Sequence, residues 1–351
     1  MSIELGLHIT HIGSMPFKDP EEAVNLSLEL DIPAWPQLPK YKNERMIVQF
    51  NEGLPGFNFE KQIINTESPN FEEDFMKFYE LYLQIVEEKK LEFLQEFSIS
   101  ESFAKGFYTF LKLGKNKKLS KVKGQITGPF TLGIALKANS GESVIFRDEL
   151  RDLIVKFLTL KALYQGLELK KISPFVILFM DEPGLTAFGT SAFITISKET
   201  VLSMINEIVT LVKSHGIFTG IHVCANTSWD VVLESEIDIL SFDSFNYYDK
   251  LIIYKDDLKK FFETENKFIA WGIIPTDSDT LKSITLQEIL EKFNSQLINF
   301  SELIGFSKEE ILKKSLFTPA CGLGSLKEEL AIKALKFLKD FKNYISSYIS
   351  K

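Results

Sequence analysis

Histidine and cysteine are scarce in this 351-residue chain, with four of the first and two of the second. One of each sits in IHVCANTSWD (221–230), where a single valine separates His222 from Cys224. If that run ends a strand, residues two apart project to the same side, and both side chains can face one ion. Thiolate and neutral imidazole both suit zinc, which accepts mixed nitrogen and sulfur coordination. Taken alone, His-x-Cys is also explained by a core cysteine beside a hydrogen-bonded histidine. The other cysteine shifts the balance. Cys321 follows another strand-like run, inside TPACGLGS, where two glycines let the backbone turn away from a site. A set of His222, Cys224 and Cys321 uses every cysteine and favours a metal centre. Asp243 ends the strand-like IDILSFD and is the candidate fourth ligand, with a capping carboxylate as its alternative. A catalytic zinc keeps one position open or exchangeable, where an incoming thiol can be held as thiolate at neutral pH.

Asp181 and Glu182, in FMDEPG, are strand-end carboxylates suited to charge-assisted hydrogen bonds from an ammonium, or to a salt bridge with a neighbouring loop. Adjacent strand residues face opposite ways, so at most one faces a common site unless the strand has already ended. Gly13 and Ser14, in IGSMP, offer backbone amides and a hydroxyl to a carboxylate, or form a plain turn. TGPF (127–130) is a second tight turn. His8, His11 and His215 have no evident carboxylate partner in sequence. GLGSLK (322–327) does not match the phosphate-binding G-x-x-x-x-G-K-[ST], and neither G-x-G-x-x-G nor G-x-S-x-G occurs.

Positioning such residues on one rim needs a particular scaffold. Short β-rich runs alternate with longer helical patterns, the signature of a parallel α/β protein. The predicted strands are 3–10, 31–37, 121–127, 175–181, 218–224, 237–243, 267–273 and 315–321. Helical patterns include 19–30, 71–97, 197–216, 286–300 and 326–345, with Asp19-Pro20 as a start signal and Gly216 as a stop. Eight strands imply a (β/α)8 barrel over residues 1–351 as one domain, elaborated around 38–120. Chemistry in such a barrel sits at the C-terminal strand ends, where the scarce residues fall. A hydrophobic content of 45% permits a large core without disulfides, and a net charge of −8 argues against non-specific nucleic-acid binding. No signal peptide or membrane helix is expected, so the reading is a cytoplasmic protein with both cysteines reduced.

In order along the chain, IGSMP, GQITGPFTLG, MDEPG, IHVCAN and TPACGLG resemble the cobalamin-independent methionine synthase family, within the uroporphyrinogen decarboxylase/methionine synthase superfamily. The resemblance spans most of the chain and is weakest over 38–115. It implies a zinc-dependent methyltransferase on a (β/α)8 barrel, with homocysteine as the leading acceptor. By motif, His222, Cys224 and Cys321 correspond to zinc ligands, and Asp243 stands where the family has a glutamate ligand. Ile12, Gly13 and Ser14 correspond to residues holding the homocysteine carboxylate, and Asp181 to one binding its amino group, with Glu182 next to it. Glu44 in KNERM aligns poorly and is left unassigned.

Two departures bear on the methyl donor. Full-length enzymes of this family have an additional N-terminal barrel that helps hold folate, and this chain is expected to be only the catalytic half. The family's acid histidine after the seventh strand is missing from WGIIPTDSDT, and cob(I)alamin would leave without protonation. The expected donor is therefore methylcobalamin or a methylated corrinoid protein rather than folate. Methylcobalamin:coenzyme M methyltransferases are the nearest rival, but coenzyme M has no ammonium for Asp181 to bind. A non-catalytic thiol- or corrinoid-binding module with structural zinc is the alternative from another class. The decarboxylase branch is disfavoured, because its arginine-rich N-terminal motif is absent.

Overall fold

Six of the apolar runs pair into one parallel sheet in a computed structural model that describes residues 4–349. The strands are β1 (Lys121–Thr127), β2 (Phe175–Asp181), β3 (Phe218–Val223), β4 (Ile239–Phe242), β5 (Phe268–Ile274) and β6 (Ser315–Pro319). They are neighbours in chain order, each joined to the next by a helical crossover. Long helices cover the outer face, among them Asp148–Lys170, Lys198–Ser214, Leu286–Ile304 and Glu328–Ile349. With helices outside and a packed interior, the strands are buried on both faces, which explains their near-continuous apolar sequences.

Eight regular strands were expected, and the first two do not form. Of the predicted 3–10 strand, Ile3 lies outside the described residues, and the remainder makes a single bridge, Ile9 with Phe317. The 31–37 segment bridges Ala34 with Lys123 and Ser14 with Gln37. Pro33 and Pro36 each lack an amide hydrogen, so this segment cannot sustain a ladder. The two segments nevertheless join the edges of the sheet. Thr10 N donates to Phe317 O at 3.1 Å, Ile32 N to Ile9 O at 3.2 Å, and Trp35 N to Lys123 O at 3.2 Å. The result is a curled, TIM-like barrel with a six-stranded parallel sheet and two irregular staves.

The interior explains where chemistry can occur. At the lower end, Leu5, Ile32, Ile177, Phe179, Ile239, Phe268, Ala270 and Leu316 form one apolar plug. Two residues further along the same inward-facing rows, the side chains turn polar: Phe179 gives way to Asp181, and Ile239 to Ser241. On β3 the inward row ends in His222. The plug excludes water below and leaves the polar groups at the upper mouth.

Local signals set the helix ends. Asp19 caps the Pro20–Ser27 helix by accepting from Glu21 N, and that helix stops three residues short of the expected Leu30. The 71–97 pattern breaks into a helix over Phe71–Val86 and a 3-10 segment over Leu91–Phe97, with Lys89 at positive φ between them. Gly216, at φ +66°, follows the Lys198–Ser214 helix as the predicted stop. Residues 38–120 hold the Phe71–Val86 and Leu91–Phe97 elements, the Lys105–Gly114 helix and a short hairpin, Phe57–Asn58 with Ile63–Ile64. No helix among the described residues is long and apolar enough to cross a membrane.

His11 fastens the two irregular staves from within. It is fully buried, with Nε2 2.9 Å from Ser27 Oγ and 3.1 Å from the Ala34 carbonyl. Burial, reinforced by the charge of Lys123, pushes its pKa down to about 3. The folded protein therefore keeps this imidazole neutral while the unfolded chain protonates it below its ordinary value of 6.5. Its contribution is complete above about pH 6.5 and declines as pH falls towards about 3. In urea unfolding, His11→Gln should lack this slope, and the wild-type advantage should shrink by on the order of 2 kcal/mol between pH 7.5 and 5.

Candidate metal and thiol site

His222 is the last inward-facing residue of β3 and is almost wholly buried. Its register partner on β4 is Ser241, whose hydroxyl lies 2.9 Å from His222 Nδ1. When Nδ1–H donates to Ser241, the lone pair of Nε2 is left facing the barrel mouth. Nε2 is buried and has no hydrogen-bond partner among the described residues. Cys224 follows the end of β3, and Cys321 follows β6 across the mouth. Their sulfurs and a His222 nitrogen lie within 4.8 Å of one another. Both cysteines are free thiols. The Cys321 thiol beside the Cys224 sulfur lowers the pKa of Cys224, and the same contact together with burial raises that of Cys321. An orphaned imidazole nitrogen beside two sulfurs is a donor set that fits zinc.

A cavity of about 410 Å³ opens over this cluster, lined also by Ile12, Ser14, Gln37, Arg45 and Asp181. Asp181 ends β2 in register with His222, and its Oδ1 is buried without a hydrogen-bond partner among the described residues. Burial raises its pKa to about 6, opposed by His222 and Lys123. A ligand cation placed there would supply the missing partner. Ser14 receives the loop after Cys321, its carbonyl accepting from Leu323 N at 2.9 Å and its hydroxyl from Gly324 N at 3.3 Å. A side chain at Gly322 would put its Cβ 2.1 Å from Ser14 Oγ, so only glycine allows this approach. Gly13 does not line the cavity; its carbonyl accepts from Gln37 N at 3.0 Å.

Two expected site residues have their carboxylates engaged by other partners, although Asp243 remains close enough for its charge to act on Cys224 and to be acted on by His222. Asp243 does not join the His222–Cys224–Cys321 group. It caps the Ser244–Leu251 helix, with Oδ1 accepting from Asn246 N at 2.9 Å and Oδ2 from Asn246 Nδ2 at 2.8 Å. Both oxygens are thus engaged in the cap, the alternative weighed for this carboxylate. Glu182 is likewise turned away from the cavity. It accepts from Phe130 N at 2.9 Å, Thr131 N at 2.8 Å and Thr131 Oγ1 at 2.6 Å, tying β2 to the TGPF turn. Its carboxylate occupies the space a side chain at Gly128 would need, with the carboxyl carbon 2.1 Å from where a Cβ would sit. Glu44, left unassigned from sequence, is a buried brace accepting from the Leu38 and Lys105 amides.

Sequence reasoning missed Gln37 and Ser241. Gln49 Nε2 donates to the Phe103 carbonyl at 2.7 Å, and a carbonyl can only accept. Gln49 must then offer Oε1 to Gln37, whose Nε2 donates to it at 2.7 Å. This orientation leaves Gln37 Oε1 as an acceptor on a cavity-lining side chain. The only sequence signal was its place at the end of DIPAWPQ. Ser241 carried a weaker one, two residues before Asp243 in an inward-facing row.

Fold and site together define a curled α/β barrel with a thiol- and imidazole-lined mouth, an architecture suited to metal-assisted chemistry on a small thiol. The chain shares its fold with a B12-independent methionine synthase from Shewanella sp. W3-18-1, solved in complex with selenomethionine, at TM-score 0.62 and 14% identity. It also resembles a structure from Listeria monocytogenes provisionally described as a vitamin-B12 independent methionine synthase, at TM-score 0.51 and 12% identity. Each alignment covers 98% of this chain and 99% of the other. The aligned chains are therefore of comparable length. No protein-family profile and no curated protein matches the sequence.

The contrast between Ser241 and Asp243 is directly measurable by zinc titration against a chromogenic chelator. Ser241→Ala should weaken binding about 10- to 100-fold by freeing the imidazole. Asp243→Ala should leave the affinity unchanged and lower stability by about 1 kcal/mol through loss of the cap.

Proposed function

We propose that this protein transfers a methyl group to the thiol of homocysteine, forming methionine, at a zinc site held by His222, Cys224 and Cys321. The observation that carries the reading is the orphaned His222 Nε2 beside two free thiols, in the same cavity as the unpartnered Asp181 Oδ1. Zinc bound there would lower the pKa of the substrate thiol so that it reacts as thiolate at neutral pH.

The chain's own residues bind and orient the substrate. Asp181 Oδ1 and Gln37 Oε1 accept from the substrate ammonium, which gives the buried carboxylate its counter-charge. Ser14 faces the substrate carboxylate. With both ends of the amino acid held, the side-chain sulfur is directed at the His222–Cys224–Cys321 cluster. In the transfer, the thiol loses its proton and a sulfur–carbon bond forms to the methyl group. The bond between methyl and donor breaks, and its electron pair leaves with the donor.

Several observations support this reading over its rivals. A structural zinc is closed by four protein ligands, whereas three donors gather here and Asp243 is occupied with Asn246. That argues against the non-catalytic module. A thiol carrying only a sulfonate, such as coenzyme M, would leave Asp181 buried without a cation. The Shewanella protein is described with selenomethionine, which differs from methionine only in carrying selenium for sulfur.

On the donor, two observations pull in opposite directions. Residues 271–280 contain no histidine, and Asp277 there is an exposed helix cap, which favours a leaving group that needs no proton. Both structural neighbours are described as B12-independent, which removes support from the methylcorrinoid expected from sequence. Arg45, an exposed cation at the cavity wall, is available to an anionic group on either donor.

The deciding experiment is a matrix of methyltetrahydrofolate, methylcobalamin and a methylated corrinoid protein against homocysteine and coenzyme M, using zinc-loaded protein. Methionine should accumulate with at least one donor; if none yields it, the proposal fails. Asp181→Asn should raise KM for homocysteine by about 10- to 100-fold, the value of a charged hydrogen bond, and leave any activity on coenzyme M unchanged.

A further inference from the structure

Below the cavity lies a charged group that this reading leaves without a task. Lys123 projects from β1 into the barrel interior and is fully buried. Its polar contacts are the Ile12 carbonyl at 2.6 Å, Gln125 Oε1 at 3.5 Å and the face of Phe179, whose centroid is 4.7 Å away. None of these is a carboxylate. An ammonium buried without an adjacent counter-ion is costly, and methionine of similar length would suit the apolar plug beneath it better. A buried ammonium directly below the cavity is a candidate for a role there.

The short bond to Ile12 indicates what that role is. Ile12 and Ser14 both line the cavity. Ser14 in turn receives the amides of Leu323 and Gly324, in the loop that begins at Cys321. Gly322 packs directly on the Ser14 hydroxyl, so the loop cannot shift without moving Ser14. One continuous set of contacts therefore runs from the Lys123 ammonium to the cysteine that crosses the mouth.

We propose that Lys123 is a positioning residue: by holding the Ile12 carbonyl it sets the Ile12–Ser14 turn, and through Ser14 it places Cys321 against His222 and Cys224. The proposal rests on the metal reading of that cluster. Lys123 has no hydrogen bond to His222, Cys224 or Cys321, and its influence passes through the Ile12 backbone.

Cobalt(II) titration tests this, because sulfur-to-cobalt charge-transfer absorption reports the thiolates without any turnover. Lys123→Met should bind cobalt(II) at least about tenfold more weakly, with a reduced charge-transfer band. The metal-free variant should melt at or above the wild-type temperature, since a buried charge has been removed. Lys123→Arg, which keeps the charge and a donor, should recover part of the band. Ser14→Ala should weaken the same band by loosening the same loop, and it remains informative if the Met variant does not fold. Wild-type affinity and spectrum in both Lys123→Met and Ser14→Ala would overturn the proposal. So would cobalt loss in Lys123→Met matched by a large fall in melting temperature, which is the signature of a merely structural role. Wild-type protein that binds no cobalt(II) would overturn the metal reading and this proposal together, whereas binding in wild type and both variants alike would overturn this one alone.

Discussion

Curvature of the sheet is the constraint on which the site depends. His222 is the last inward-facing residue of β3 and Cys321 follows β6, with two strands between them. In a flat sheet, three strand spacings would separate them by about 14 Å. Their ligand atoms instead lie within 4.8 Å. Only a sheet rolled far enough to face itself can bring those residues together, and the rolling requires closure at the weak side. That closure falls to two staves without regular ladders, held by isolated bridges, the His11 contacts and the seat of the Cys321 loop on Ser14. The metal-like cluster and the seam of the barrel are thus parts of one mechanical problem.

The mouth balances charge by separation rather than by close pairing. Asp181 carries an unpartnered oxygen, and Lys123 has no carboxylate among its hydrogen-bond partners. Each nonetheless moderates the other: Lys123 opposes the rise in the Asp181 pKa, and Asp181 opposes the fall of the Lys123 pKa to about 8. A low-dielectric plug below the pair lets the interaction act over a distance that water would screen. Glu182, one residue beyond Asp181, has the opposite character. Three donors engage its carboxylate, and it serves as a strut between strand and turn. The alternation of the strand has therefore turned one of two adjacent carboxylates to the cavity and the other to structural support.

What the residues alone revealed follows from the range of the interactions concerned. The six strands were legible because double burial writes itself as an apolar run. The first two were over-read, since apolar content said strand while Pro33 and Pro36 withheld the amides a ladder needs. The convergence of His222, Cys224 and Cys321 was legible through scarcity and strand-end position. Asp243 was a choice between two readings, and the capping one has a local sequence signal in Asn246 three residues later, whose amide it accepts. Gln37 and Ser241 lay beyond sequence reasoning because their roles come from register and amide orientation, which join residues distant along the chain. Likewise, nothing in KVKGQIT marked Lys123 as an inward-facing ammonium until the pairing of β1 with β2 set its face.

The Gln37–Gln49–Phe103 amide chain has a consequence for how such a scaffold can vary. Gln49 and Phe103 lie in the connecting segments between the second stave and β1, and surface connections of that kind usually change with little effect on a barrel's interior. Here one of them reaches the cavity wall through two hydrogen bonds, each of which fixes the polarity of the next. Transplanting the region from a relative would exchange the reference point that tells Gln37 which end of its amide to present. A chimera could keep every cavity-lining residue and still show the ligand a donor in place of an acceptor. The elaboration is therefore heritable only together with the wall it orients.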